Sequence, residues 1–118
     1  MAKEHPILFS TEMVRAILDG RKTQTRRIGD RYKNWKVGDL LWVRETWAAG
    51  VEWDDEKPSE IDPLCGGNDI WYLADGKKTE GYGKTRRSRF MPKWAARIWL
   101  EITKVRWVIE FKRNARTR

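Results

Sequence analysis

Chemistry in this chain concentrates first in one short basic segment, Arg21-Lys22-Thr23-Gln24-Thr25-Arg26-Arg27. A lysine whose ammonium is partly desolvated loses its proton more readily and can act as a base or nucleophile. A threonine hydroxyl beside it could attack an acyl carbon, and an arginine could hold a phosphate or an oxyanion. Lys22, Thr25 and Arg27 therefore form a candidate constellation. The same segment also reads as a solvated basic edge strand, whose lysine blocks edge pairing. Glu45 is a second candidate, set among large apolar neighbours in Leu40-Leu41-Trp42-Val43-Arg44-Glu45-Thr46-Trp47. It could serve as a general base, accept hydrogen bonds from a nucleobase edge, or pair with a cross-strand cation. A third is the stretch from Lys84 to Arg97. It interleaves Lys84, Arg86, Arg87 and Arg89 with Phe90 and Trp94. Cations for phosphates beside aromatic faces for stacking suit single-stranded nucleic acid, although Trp94 also fits a core position.

The composition narrows this chemistry. The 118 residues carry 25 Lys and Arg against 17 Asp and Glu, a formal net charge of +8. Such a balance favours polyanionic partners, nucleic acid or a membrane surface, without requiring one. Cys65 and His5 are the only cysteine and histidine. Ser-His-Asp and Cys-His triads, an intramolecular disulfide and a Cys- or His-rich zinc site within one chain are thereby excluded. The acids from Glu52 to Asp62 lack the ordered spacing of a calcium loop and read as a solvated surface. No metal or other cofactor is expected. No apolar run approaches the roughly 18 to 20 residues of a membrane span, and Met1 to Pro6 lack a secretory-type apolar stretch. A cytoplasmic protein is expected, one domain over residues 1–118.

The elements that must position these residues are read from caps and periodicity. Ser10 or Thr11 caps a helix that runs to Asp19 with Met13, Val14, Ile17 and Leu18 on one side, and Gly20 follows it. The basic segment is a short strand with Thr23, Thr25 and Arg27 on one face. Val37-Gly38-Asp39 is a turn, and Leu40 to Trp47 is one long strand. Ala48 to Asn68 is a polar surface excursion, Ile70 to Ala74 a strand, and Asp75-Gly76 a turn. From Ala96 to Phe111 the alternation changes phase, with Ile98, Leu100 and Ile102 on one register and Val105, Trp107, Ile109 and Phe111 on the other. A bulge, turn or corner near Thr103-Lys104 must absorb the shift. The end, Arg113 to Arg118, reads as frayed. One helix with four or five strands suggests an α+β fold, a small and partly closed β-barrel.

Taken together, Pro6-Ile7-Leu8-Phe9-Ser10, the block from Met13 to Arg27, Val37-Gly38-Asp39 and Val43-Arg44-Glu45-Thr46-Trp47 resemble an ASCH domain. Met91 to Ile98, Leu100-Glu101-Ile102 and Trp107 to Lys112 fit the same group. The likeness is greatest to ASCH-domain proteins of tailed phages and prophages. It implies a PUA-like mixed β-barrel with one N-terminal helix and a long polar loop, and a cleft suited to RNA or a modified nucleoside. It also implies a bacterial host cytoplasm. Small bacterial members hydrolyse N4-acetylcytidine with a lysine and a threonine from this block, which fall on Lys22 and Thr25, and the block's arginine falls on Arg27. Those members take a glutamate from a helical segment before the last strand. Here Val105-Arg106 runs straight into Trp107, so that segment is missing and Glu45 is the only nearby substitute. So short a connection could also drive exchange of the last strand in a domain-swapped homodimer.

Two functions are carried forward. One is a nucleic-acid-binding module, RNA-directed, with a basic cleft of Arg21, Lys22, Arg26 and Arg27 joined by Lys84, Arg86, Arg87, Arg89 and Trp94. The other is an amidohydrolase with Lys22 as base, Thr25 as nucleophile and Arg27 orienting the substrate. A phage-derived remnant without activity is the third alternative.

Overall fold

The computed structural model describes residues 2–27, 32–62 and 70–118. Its strands are β1 (Glu4–Leu8), β2 (Gln24–Thr25), β3 (Leu40–Arg44), β4 (Trp47–Ala48), β5 (Trp71–Tyr72), β6 (Trp99–Val105) and β7 (Ile109–Arg113). The helix α1 (Thr11–Leu18) lies between β1 and β2. The Ser10 side chain accepts a hydrogen bond from the Met13 N–H, which satisfies one of the free donors of the first helical turn. Gly20 then adopts φ +78°, a left-handed conformation that suits glycine and turns the chain towards β2. Val14 and Ile17 are buried as the helical stripe requires, whereas Met13 is exposed. Leu18 packs partly buried against the same core, so of the expected stripe only Met13 lies outside.

Five strands form one mixed sheet in the order β1-β3-β6-β7-β2, with β1 parallel to β3 and the other pairs antiparallel. β4 and β5 form a separate two-stranded sheet. The expected long strand from Leu40 to Trp47 is thus divided. The carbonyl of Arg44 accepts from Phe9 N–H, but that of Thr46 accepts from Leu73 N–H, and Trp47 exchanges backbone bonds with Arg86. The chain changes partners at Glu45-Thr46 and passes from one sheet to the other. The expected shift near Thr103-Lys104 is a β-bulge, where the β6–β7 register slips between Ile102 and Lys104. Beyond it Arg106 N–H donates to Val108 O in a tight loop, and β7 returns along β6 of the same chain.

The main core lies between α1 and the inner face of the sheet, from Ile7, Phe9, Val14 and Ile17 to Leu41, Val43, Leu100 and Ile102. A second core under the two-stranded sheet gathers Trp47, Ile61, Tyr72, Met91 and Ala95. Asp39 ties the N-terminal strand to the turn before β3. Its carboxylate accepts from Lys3 N–H and Lys36 N–H and bonds His5 Nε2 at 2.8 Å. The C-terminus is also held, contrary to the frayed end expected. Thr117 Oγ1 bonds both backbone groups of Trp99, and Arg118 N–H donates to Arg97 O. Among the described residues no backbone ladder joins the two edge strands, β1 and β2, and no closed barrel is found. Among those residues no helix is long and apolar enough to cross a membrane.

Candidate nucleic-acid interface

The basic block after α1 is drawn together around Phe9. Lys22 Nζ lies 5.6 Å and the Arg27 guanidinium 5.2 Å from the centroid of its ring, the geometry of cation–π contacts. Arg27 Nη1 donates to Thr25 Oγ1 at 2.8 Å, and Nη2 donates to Leu8 O at 2.8 Å. Arg27 thus spans the open seam between the last residue of β1 and the end of β2. Lys22 Nζ donates to Gln24 O at 3.0 Å. Burial lowers the Lys22 pKa from its ordinary value, and the nearby Arg27 charge adds to the effect. Lys22, Thr25 and Arg27 therefore do meet, in an arrangement that also knits the edge of the sheet.

Glu45 does not join them. Its side chain is 1% exposed, and both carboxylate oxygens are bonded to Arg97, Oε2 to Nε at 3.1 Å and Oε1 to Nη2 at 3.0 Å. Arg97 Nη1 donates to both oxygens of Asp75, and its guanidinium stacks 4.2 Å above the Tyr72 ring. Burial pushes the Glu45 carboxyl up from its ordinary pKa, and the Arg97 bonds pull it partway back. Tyr72 is pushed up to about 12, chiefly by burial, and its hydroxyl donates to Ala95 O. A carboxylate only 1% exposed and bonded on both oxygens by one guanidinium is not presented to a substrate, so Glu45 stands here as a buried partner of Arg97.

Arg86 is likewise interior. It is 8% exposed, donates to Glu56 O and Trp53 O, and stacks on Trp47 at 5.5 Å. That placement removes it from the surface on which the sequence reading had put it. Arg21 is exposed and paired with Asp19, and Lys84 is exposed with its backbone N–H bonded to Asp54. Trp94 packs edge-on against Trp47 and lines a cavity of about 680 Å³ with Trp99, Lys93 and Arg116. Within that cavity the carboxylate of Glu4 is bonded to both Lys93 and Arg116, so these two cations already face an anion, while Arg118, also in the wall, donates to Ala96 O.

Arg44 is the residue that the sequence reading passed over. Three adjoining concavities, of about 310, 570 and 530 Å³, all include it in their walls. The first is shared with Leu8, Arg27 and Tyr32, the second with Leu8, Arg87 and Arg89, and the third with Arg89, Phe90 and Lys57. Together they make one groove whose walls hold Arg27, Arg44, Lys57, Arg87 and Arg89 and, among the described residues, no acid. The Arg44 guanidinium stacks on Trp42 at 4.8 Å, and its buried Nε has no hydrogen-bond partner. Phe90 stands 56% exposed at the far end of the groove. The signal for Arg44 was present in strand alternation. Leu41, Val43 and Glu45 share the inward phase, which leaves Leu40, Trp42 and Arg44 on the outer one. Neither Lys22, Thr25 nor Glu45 lines this groove.

Comparison with protein-family models, with curated protein sequences and with solved structures gives no match for this chain.

Proposed function

We propose that this protein is an ASCH-type module that binds single-stranded nucleic acid, RNA by preference, along the groove centred on Arg44. The observation that carries the reading is the wall of five cations around Arg44, which holds no acid among the described residues. Phosphates are the chemistry such a wall takes, because each neutralised phosphate also releases counterions. Arg44 stacked on Trp42 is pre-oriented, so little side-chain entropy is lost when it binds. The preference for RNA rests on the resemblance of the sequence to ASCH domains. So does the PUA-like barrel, whose seam in this reading is closed by the Arg27 side chain in place of a backbone ladder.

The amidohydrolase reading gains less from the geometry. Lys22 donates to a backbone carbonyl, Thr25 accepts from Arg27, and Glu45 is held by Arg97. Among the described residues no further group stands free beside them to relay a proton.

The test must separate the groove from a general attraction of a basic protein for polyanions. Titration of a labelled single-stranded RNA across a salt series should give a log–log slope of up to about −3.5 if all five cations meet phosphates. Arg44→Ala should weaken binding about tenfold, while the doubly substituted Lys77→Ala/Lys112→Ala, which removes more charge elsewhere, should change it less than about twofold. Equal losses in the two would reduce the binding to net charge and remove the groove. N4-acetylcytidine followed by chromatography should show no turnover. Deacetylation that disappears in folded Lys22→Ala would replace this reading with the hydrolase.

A further inference from the structure

The β6–β7 hairpin presents Trp107 at its tip, 72% exposed and the most exposed large apolar side chain among the described residues. Its neighbours in the alternating pattern, Ile109 and Phe111, are buried, so the tight loop at 106–108 alone carries the indole outwards. Arg26 lies over the ring with its guanidinium 5.1 Å from the centroid. An indole this exposed has at most one face covered by that cation, and the other remains open to a flat ligand. Beside it is a concavity of about 250 Å³, whose walls include Gln24, Arg26, Lys104, Arg106 and Glu110. Lys104 is within 4.0 Å of Glu110, whereas Arg26 and Arg106 have no carboxylate partner among the described residues. The Gln24 side chain is exposed with donor and acceptor groups to offer.

This tip is linked to the groove in the chain by two consecutive residues. Arg26 covers Trp107, and Arg27, one Cα step of about 3.8 Å away, bonds Leu8 O and lines the groove.

We propose that Trp107 is a stacking platform for one unpaired nucleobase of the strand that lies in the Arg44 groove, with Arg26 and Arg106 taking the phosphates on either side of it. The inference rests on the nucleic-acid reading and adds to it a contact that recognises a base as well as charge. A π face flanked by unpaired guanidinium groups matches a nucleotide, which offers a ring and an anion within one unit. An anionic lipid surface shares the charge. It would also need an apolar face, and around Trp107 the cavity wall is polar except for Val108.

The experiment compares a uridine-rich single strand with an abasic strand of equal length and charge. Trp107→Ala should weaken binding to the base-bearing strand by about 5- to 100-fold and leave the abasic strand unchanged. Trp107→Phe should restore most of the affinity, and the thermal unfolding of both variants should match that of the wild type. Equal losses on both strands, no loss on either, or loss only of binding to phosphatidylserine vesicles or of self-association would each overturn the platform. Arg44→Ala, run in parallel, distinguishes the two levels. Loss with Arg44→Ala alone leaves the groove and removes the platform, whereas loss with neither variant removes both.

Discussion

Arg86 and Arg97 lie inside the molecule with their guanidinium groups bonded on several sides. Arg44, Arg87 and Arg89 stand around the groove without an ion pair among the described residues, although Arg87 adjoins Arg86 in the chain and Arg44 adjoins Glu45. The two sets share a side chain and differ in what surrounds it. An interior guanidinium is held by the groups packed around it, Arg97 by two carboxylates and Arg86 by two carbonyls with its buried Nε left without a partner. Breaking a buried ion pair costs roughly 3 to 5 kcal/mol. The groove arginines Arg87 and Arg89 are exposed and keep their donors for a ligand, whereas Arg44 is half-buried with its Nε enclosed. Interior arginines therefore hold the two sheets together at the Glu45 corner and beneath Trp47, and groove arginines define what the surface can bind. A charge count cannot distinguish them.

That contrast can be broken most forcefully at Arg97. Arg97→Ala strands the Glu45 carboxylate in the interior and should cost about 3–5 kcal/mol in denaturant unfolding, with much of it recovered when Glu45 is also made apolar. A loss below about 1 kcal/mol would mean that Glu45 does not depend on its partner, and would return it to the list of acid–base candidates. Arg86→Ala should destabilise by about 2–3 kcal/mol, through two charge-assisted bonds and the stacking on Trp47. RNA affinity of the folded variant should stay within about twofold of wild type. Weakened RNA binding at unchanged stability, which the sequence alone suggested, would move Arg86 into the groove class.

Asp39 extends the comparison to an acid, with a smaller effect. Burial opposes its ionised form, yet the bonds from His5, Lys3 N–H and Lys36 N–H outweigh this and hold its pKa below the ordinary value. A carboxyl whose pKa is lowered by folding contributes stability above its unfolded value, near 4, and loses it as pH falls through the folded value. Asp39→Asn should cost about 1 kcal/mol near neutrality and flatten the decline of stability below about pH 4, measured by unfolding at a series of pH values. An unchanged acid limb would show that Asp39 does not carry that dependence.

Much of the local architecture was legible in the residues. Ser10 as cap, Gly20 after the helix and the phase change in Ala96 to Phe111 each follow from rules acting over a few positions, and the structure has the cap, the left-handed glycine and the bulge at those places. Lys22, Thr25 and Arg27 also come together as a group. The long strand from Leu40 to Trp47 was misread because propensity carries no information about which sheet a residue pairs with. Met13 was placed inside by periodicity, but it lies outside the buried stripe of α1. The acids of the surface excursion are described as far as Asp62, in short 3-10 turns at Val51–Trp53 and Pro58–Glu60. Cys65 and the Gly66-Gly67 pair fall outside the described residues.

The sequence by itself determined that this is a basic α+β chain without the residues for a histidine triad or a cysteine cluster. Its periodicity placed the helix and the bulge, because both are set by backbone sterics and side-chain phase within a few residues. Only the tertiary structure decided which cations are free. Glu45 meets Arg97 from 52 positions away, and Arg86 reaches Trp53 O from 33. Whether a charge is bonded or left open depends on such distant partners, and these are brought together only when the sheets pack.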